Sequence, residues 1–298
     1  PGVWLTGPMI RALRTLATGL VAATAVAWTA ACGIPDAGPV LETMESQARE
    51  RGLSDRVRYS ATSDGTPGTM PTMMGPREET TPAGFTELVD LLQDNLSAAR
   101  TAGYDTLNGN VVSVVGDTEI QMRTVPGPAT QEVLEALIDP GVTRMEVNSP
   151  DTLVLEVWPE RYRTIASLAP QLTQALEEGR HPGVVRISPV HTDSALHLHP
   201  GGLTEEVIYD SLLLADRMRA AAGEMYLPEI HVREGRIDRI QARHETIEPQ
   251  FITALAQVAP DGTGLSVGRH DAVIGGESGE PPASEEERVL RELVERPS

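Results

Sequence analysis

The sequence contains no lysine, because all 24 basic residues among its 298 are arginine. A Schiff-base nucleophile and the phosphate-binding residue of a nucleotide loop are both lysines, so these two chemistries are excluded. Aromatic residues are also scarce, at 3% of the chain, whereas hydrophobic residues make up 40%. We therefore expect a core built mainly from Leu, Val, Ile and Ala, in one large domain or two small ones.

Charge and cysteine content restrict the partners further. The formal net charge is −19, and so acidic a protein is repelled by nucleic acid and by anionic lipid headgroups. We therefore expect no nucleic-acid partner. Cys32 is the single cysteine, so an exported form of the chain has no internal disulfide.

A secretory signal is indicated near the N-terminus. Residues 1–8 look like an upstream extension, and from Met9 the order of residues is that of exported proteins. Arg11 and Arg14 form a short positive region, and an apolar run follows from Leu16 to Ala27. This run is too short for a comfortable membrane span, so it predicts a signal peptide instead of a transmembrane helix.

The segment Thr29-Ala30-Ala31-Cys32, which ends this run, resembles the lipobox of bacterial lipoproteins, where small residues precede the acylated cysteine. The resemblance implies a signal peptide over residues 9–31, cleavage before Cys32 and lipidation of its thiol. It implies a protein held at the extracytoplasmic face of the cell membrane by its lipid. The alternatives are an ordinary signal peptide with a chance cysteine and an N-terminal helix of a cytoplasmic protein.

The stretch after the cysteine is rich in Pro, Gly, Thr, Ser and charge. We expect residues 32–80 to be a lipidated N-terminus and flexible linker, in which Val40–Arg51 is compatible with a short helix. Ser60–Thr81 shows no apolar periodicity and is typical of disorder.

From Phe85 onward a pattern of helix, strand, turn and strand recurs roughly every 40 residues, a spacing typical of repeat architectures. The spacing of apolar residues predicts an α+β fold, in which repeated helix–β-hairpin units form a largely antiparallel sheet with helices on one face. This repeat domain covers residues 81–278, as one domain or as two subdomains with a break near 200. Residues 279–298 are predicted to be a linker and a C-terminal helix.

One unit also resembles the BON-type α/β modules of bacterial envelope proteins. Val125-Pro126-Gly127, a helix, and then Pro140-Gly141-Val142-Thr143-Arg144 carry this resemblance. It implies a ferredoxin-like arrangement and a binding or structural role in the envelope, without catalysis.

Histidines and an acidic residue cluster around one predicted hairpin. His197 and His199 are two residues apart on a strand, so their side chains share a face. Two imidazoles placed in this way can bind zinc or copper, with His191 or Asp193 as a third ligand. The alternative is a polar, solvated strand face.

A second polar group follows the predicted hairpin Ile230–Arg243. His231 and Arg233 alternate on its first strand, and Arg239, Gln241 and Arg243 alternate on the second. This local guanidinium patch could bind carboxylates or phosphates of a cell-wall polymer, because arginine binds both in a bidentate manner. Alternatively, the arginines pair with the acidic residues of the protein itself.

The segment Gly264-Leu265-Ser266-Val267-Gly268 matches the G-x-S-x-G pattern of serine hydrolases, and His270 and Asp271 follow it. That pattern requires a helix directly after the serine, whereas here a turn is predicted. This mismatch argues against a nucleophile elbow. Because no other motif forms a convincing catalytic constellation, we expect no catalytic residue, no cofactor and no enzyme activity.

The sequence predicts a non-catalytic, lipid-anchored envelope protein that binds a cell-wall polymer or an envelope protein through an open sheet face. The first alternative is an extracytoplasmic carrier of a small ligand or lipid. The second is a hydrolase or metal-binding protein that uses His191, His197 and His199.

Overall fold

The computed structural model describes residues 37–63, 69–105, 107–138, 142–149, 152–178, 183–190, 194–222, 229–242, 246–276 and 281–295. In these stretches the chain forms eight α-helices, one 3₁₀ turn (Pro159–Arg161) and twelve β-strands. The helices are α1 (Ala37–Glu50), α2 (Pro82–Thr101), α3 (Pro128–Leu137), α4 (Tyr162–Ser167), α5 (Ala169–Glu177), α6 (Glu205–Ala222), α7 (Pro249–Val258) and α8 (Glu285–Val294). The strands are β1 (Arg58–Ser63), β2 (Thr69–Thr80), β3 (Asn108–Val115), β4 (Thr118–Met122), β5 (Val142–Ser149), β6 (Thr152–Val157), β7 (Val184–Pro189), β8 (Ala195–Leu198), β9 (Glu229–Arg233), β10 (Arg236–Ala242), β11 (Gly264–Val267) and β12 (His270–Val273).

The twelve strands form one sheet in chain order, so the α+β class is confirmed. The expectation of a largely antiparallel sheet is wrong, because the sheet is mixed. Six neighbouring pairs are antiparallel and five are parallel, and the two kinds alternate along the sheet. Each antiparallel pair from β3 onward joins strands that are only a few residues apart in the chain, whereas each parallel pair joins strands that are separated by at least one helix.

One face of the sheet is buried beneath the helices. On β8, Leu196 and Leu198 are buried while His197 between them is partly exposed, and on β9 Ile230 and Val232 are buried in the same way. Alternation with period two sends these apolar side chains to one face and the polar ones to the other. The helices pack against each other and form one layer. Extensive contacts join α1 to α2, α3 to α5, α4 to α6, α6 to α7 and α7 to α8, and smaller contacts join α2 to α3 and α4 to α5.

The folded body begins before residue 81. We expected a flexible linker over residues 32–80, but within it the structure places α1, β1 and β2. Met44 on α1 and Met73 on β2 are fully buried in the same core as Phe85. The apolar residues of α1 recur at helical spacing, and β2 gains backbone partners on both sides, from β1 and β3. Burial therefore makes α1, which the sequence allowed as a short helix, part of the core, and strand pairing orders β2, whose composition indicated disorder.

Strand pairing also continues across residue 200, where we had considered a break between subdomains. The His199 amide donates to the Val232 carbonyl at 3.0 Å, and β7, β8 and β9 are neighbours in the sheet. In the described part of the chain, no helix is both long enough and apolar enough to cross a membrane. The predicted signal peptide and Cys32 lie outside the described residues.

Candidate functional site

A row of polar side chains crosses the face of the sheet that the helices leave open. Arg186 on β7 lies opposite His197 on β8. His197 in turn lies beside His231 on the parallel strand β9. His231 then lies opposite Arg239 on β10. Because directly paired residues in a sheet have their side chains on the same face, these four groups are neighbours.

The histidines of this row form a stack with a third one. The rings of His197 and His231 have centroids 4.7 Å apart and planes 14° from parallel. The ring of His199 lies at 5.6 Å from that of His231, at 19°. His199 Nε2 is 3.2 Å from His231 Nδ1, which is a hydrogen bond when one of the two nitrogens carries the proton.

A carboxylate completes the cluster. Glu229 Oε2 is 3.7 Å from His197 Nε2, and the two side chains are 22% and 16% exposed. Potential ligand atoms of His197, Glu229 and His231 all lie within 4.8 Å of one another. Two imidazoles and one carboxylate form a ligand set typical of transition-metal sites.

The surroundings lower the pKa of all three imidazoles and so favour their neutral form. Burial is the main cause that lowers the pKa of His197 to about 4; the neighbouring His231 acts in the same direction, and Glu229 opposes it. Burial also lowers the pKa of His199 and of His231, and Arg233 acts in the same direction on both. A neutral imidazole keeps a lone pair on one nitrogen, which is the form that binds a metal.

The predicted guanidinium patch lies on the same open face. Arg233 is 57% exposed and its Nε is 4.0 Å from Asp238 Oδ2, the limit for an ion pair. Arg239 and Gln241 are exposed, and within the described residues Arg239 makes no ion pair. Arg243 lies outside the described residues. The alternative interpretation, pairing with the protein's own carboxylates, therefore applies only to Arg233 among the described arginines of this hairpin, and there the contact is long.

The structure joins two groups that the sequence analysis kept apart. His197 and His199 were assigned to a metal site and His231 to the arginine patch, but the pairing of β8 with β9 brings all three together. His191 and Asp193, the other predicted ligands, lie outside the described residues. Glu229 and Arg186 were missed, although each alternates with apolar residues on a predicted strand, because nothing in the local pattern reveals which strands are neighbours.

Within the part of the chain that the structure describes, the serine of the G-x-S-x-G pattern makes no hydrogen bond with a histidine. Ser266 Oγ donates to Asp271 Oδ1 at 2.5 Å across the hairpin of β11 and β12. His270 Nδ1 is instead 3.4 Å from Ser284 Oγ, at the start of α8. Since Ser266 lies within a strand followed by a turn, the strand-to-helix geometry of a nucleophile elbow is absent from this described segment.

Comparison of the chain with protein-family models, with curated proteins and with solved structures found no match. The resemblances to lipoproteins and to BON-type modules therefore stay predictions.

Proposed function

We propose that this protein is a lipid-anchored, extracytoplasmic envelope protein without catalytic activity, which binds an anionic cell-wall polymer through the open face of its sheet. The observation that carries the proposal is the position of Arg186, Arg233 and Arg239 together on this face of an otherwise acidic chain.

The chemistry of the face supports an anionic ligand. Guanidinium groups bind carboxylates and phosphates with two parallel hydrogen bonds. Arg186 and Arg239 make no ion pair within the described residues, and the Arg186 Nε is buried without a hydrogen-bond partner there. The guanidinium groups of Arg186, Arg233 and Arg239 are spaced across neighbouring strands, and this spacing suits an extended polymer with repeated negative charges.

The anchor completes the proposal. Lipid on Cys32 would hold the N-terminus at the membrane, and removal of residues 9–31 takes away two arginines and no acidic residue. The remaining body is strongly acidic and is repelled by anionic headgroups. The open face is then free to meet the cell wall instead of the bilayer. In cells fed labelled palmitate, we expect the label on this protein and its loss in Cys32→Ser.

Binding to isolated cell walls tests the function. We compare the full chain with the double variant Arg233→Gln/Arg239→Gln. Its control is Arg161→Gln/Arg217→Gln, which removes the same charge from exposed positions on the helical side. We expect the first variant to bind about tenfold more weakly or worse, the control to bind normally, and added salt to weaken binding. Equal binding by all three chains would refute the proposal. It would also be refuted if the chain bound only to an envelope protein in the wall preparation and not to the polymer.

The carrier alternative has less support. A lipid carrier requires an enclosed apolar cavity. The groove between α6, α7 and β10 has a volume of about 600 Å³, but it is open and Asp210, Asp216 and Arg217 line part of it. Its charged walls suit a lipid tail poorly.

The body itself is proposed to be a repeat of one helix–hairpin unit. The alternation of parallel and antiparallel pairs along the sheet supports this, because α1, α2, α3, α6 and α7, and the pair α4 and α5, are each followed by two antiparallel strands. Such a unit exposes its apolar face when alone and buries it against its neighbours.

A further inference from the structure

We propose that His197, Glu229 and His231 bind a divalent transition-metal ion, with Zn²⁺ as the representative ion, on the open face of the sheet. This site goes beyond the proposed binding of a polymer and does not depend on it. The three residues lie on β8 and β9, which are paired neighbours in the sheet, so a rigid backbone supports them.

The distances are close to those of a formed site. Zinc binds imidazole nitrogen at about 2.0–2.1 Å, so tetrahedral ligand atoms lie roughly 3.4 Å apart. The candidate ligand atoms lie within 4.8 Å of one another. Closing this difference takes rotation of the side chains, which must also tilt the two stacked rings so that their lone pairs converge on the ion, and it needs no movement of the strands.

Two nitrogens of the cluster make no hydrogen bond with any described residue. The Nε2 atoms of His197 and His231 are buried, and neither makes a hydrogen bond within the described residues. A buried polar atom without a partner costs free energy, so native structures rarely leave one without a role. A metal ion between these nitrogens and the Glu229 carboxylate would satisfy both.

His199 is a positioning residue for this site. Its Nε2 lies 3.2 Å from His231 Nδ1. When His231 carries its proton on Nδ1 and donates it to His199, the lone pair of His231 is fixed on Nε2. Metal-binding histidines are commonly oriented in this way by a hydrogen bond from the other ring nitrogen.

The surrounding charges affect the affinity of the site for a metal ion, and its ligand atoms affect which ion it prefers. Arg186 and Arg239 flank the cluster and repel a cation, whereas Glu229 attracts it. We therefore expect weaker binding than in closed structural zinc sites, with open coordination positions on the solvent side. Imidazole ligands favour Zn²⁺ over Mg²⁺ or Ca²⁺, which prefer oxygen.

Calorimetric titration of the full, chelator-treated chain with Zn²⁺ tests the site, with Mg²⁺ as the control ion and Co²⁺ absorption as a second readout. We expect one saturable Zn²⁺ site per chain. His197→Gln, His231→Gln and Glu229→Gln should each weaken it by at least about tenfold, and His199→Gln by about tenfold. The control His270→Gln changes a histidine bound to Ser284 outside the cluster, and should leave the affinity unchanged.

Arg239→Gln gives the sharpest test. Loss of this positive charge should tighten Zn²⁺ binding, and a misfolded variant would not show such a gain in affinity. The same substitution should weaken binding to cell walls. Failure of one proposal is therefore distinguishable from failure of the other. The metal site is refuted if the chain shows no saturable Zn²⁺ binding, if Glu229→Gln binds as well as the parent, or if Arg239→Gln does not bind more tightly.

Discussion

His199 Nε2 and His231 Nδ1 lie 3.2 Å apart, although the 18-residue helix α6 separates the two histidines in the chain. A hydrogen bond between two imidazoles requires a lone pair on one of them, so it is lost when both are protonated. The lowered pKa values of both rings keep this bond intact at neutral pH. The stacked histidines therefore link β8 to β9 by side chains as well as by the backbone.

Protonation of the histidine stack should destabilise the metal-free protein. The pKa of His197 falls from 6.5 to about 4 on folding, so between these values the unfolded chain binds the proton more readily. Stability from this group is complete above pH 6.5 and is lost progressively as the pH falls toward 4. Urea unfolding with a chelator present, repeated across this range, measures the loss.

The matched variant for that experiment is His197→Gln, which cannot titrate. We expect the free energy of unfolding of this variant to fall less steeply below pH 6.5 than that of the parent chain. Parallel curves for the two proteins would contradict the assignment of a lowered pKa to His197.

The Glu178 carboxylate caps a helix that has no cap of its own. It accepts hydrogen bonds from the Ala129 amide at 2.9 Å and the Thr130 amide at 3.2 Å, at the start of α3, where Gly127 offers no side chain. Glu178→Ala should cost about 1 kcal/mol in free energy of unfolding, measured with urea. Glu177→Ala, an exposed neighbour at the end of α5, is the control and should cost less.

The same contact makes an alanine at position 127 unfavourable. A Cβ on Gly127 would collide with the Glu178 carboxylate, although the backbone there is not left-handed. Gly127→Ala should therefore destabilise the parent chain but be tolerated once Glu178 is alanine. Equal costs in both backgrounds would show that the two residues do not touch.

Helix α1 should behave as part of the core. Met44→Ala removes a fully buried side chain and should cost about 2–5 kcal/mol in free energy of unfolding, because it leaves a cavity. The neighbouring Glu42 is exposed, and Glu42→Ala should change little. A negligible cost for Met44→Ala would restore the interpretation of this segment as a linker.

Ser266 should be inert as a nucleophile. Its hydroxyl donates to Asp271, and no histidine within the described ranges makes a hydrogen bond with it, so a fluorophosphonate probe should leave the folded chain unlabelled. Labelling that disappears in Ser266→Ala would overturn this expectation.

Local patterns predicted the elements that carry clear signals. The turn at Glu234-Gly235 was predicted from its sequence, and both residues adopt the positive φ, 49° and 71°, that a tight hairpin requires. The strands on either side alternate apolar and polar residues, and this alternation placed His231 and Arg233 on one face. In contrast, β2 contains Pro71 and Gly75 and has no alternation, so nothing local distinguished it from a loop.

The candidate site was predicted only in pieces. Period-two alternation correctly put His197 and His199 on the open face, but it could not place Glu229 and His231 beside them. That neighbourhood depends on the parallel pairing of β8 with β9, which a helix of 18 residues separates. Long-range pairing of this kind depends on packing of the whole layer, so no local sequence pattern reveals it.

The central claim is that the open face of the sheet is the binding surface, and photo-crosslinking in living cells tests it most directly. A crosslinking residue at Gln241, exposed on that face, is compared with one at Glu206, exposed on α6. After irradiation and boiling in detergent, we expect the chain to remain attached to the cell wall when the crosslinker is at position 241 and to wash away when it is at 206. Attachment from position 206 alone would contradict the claim.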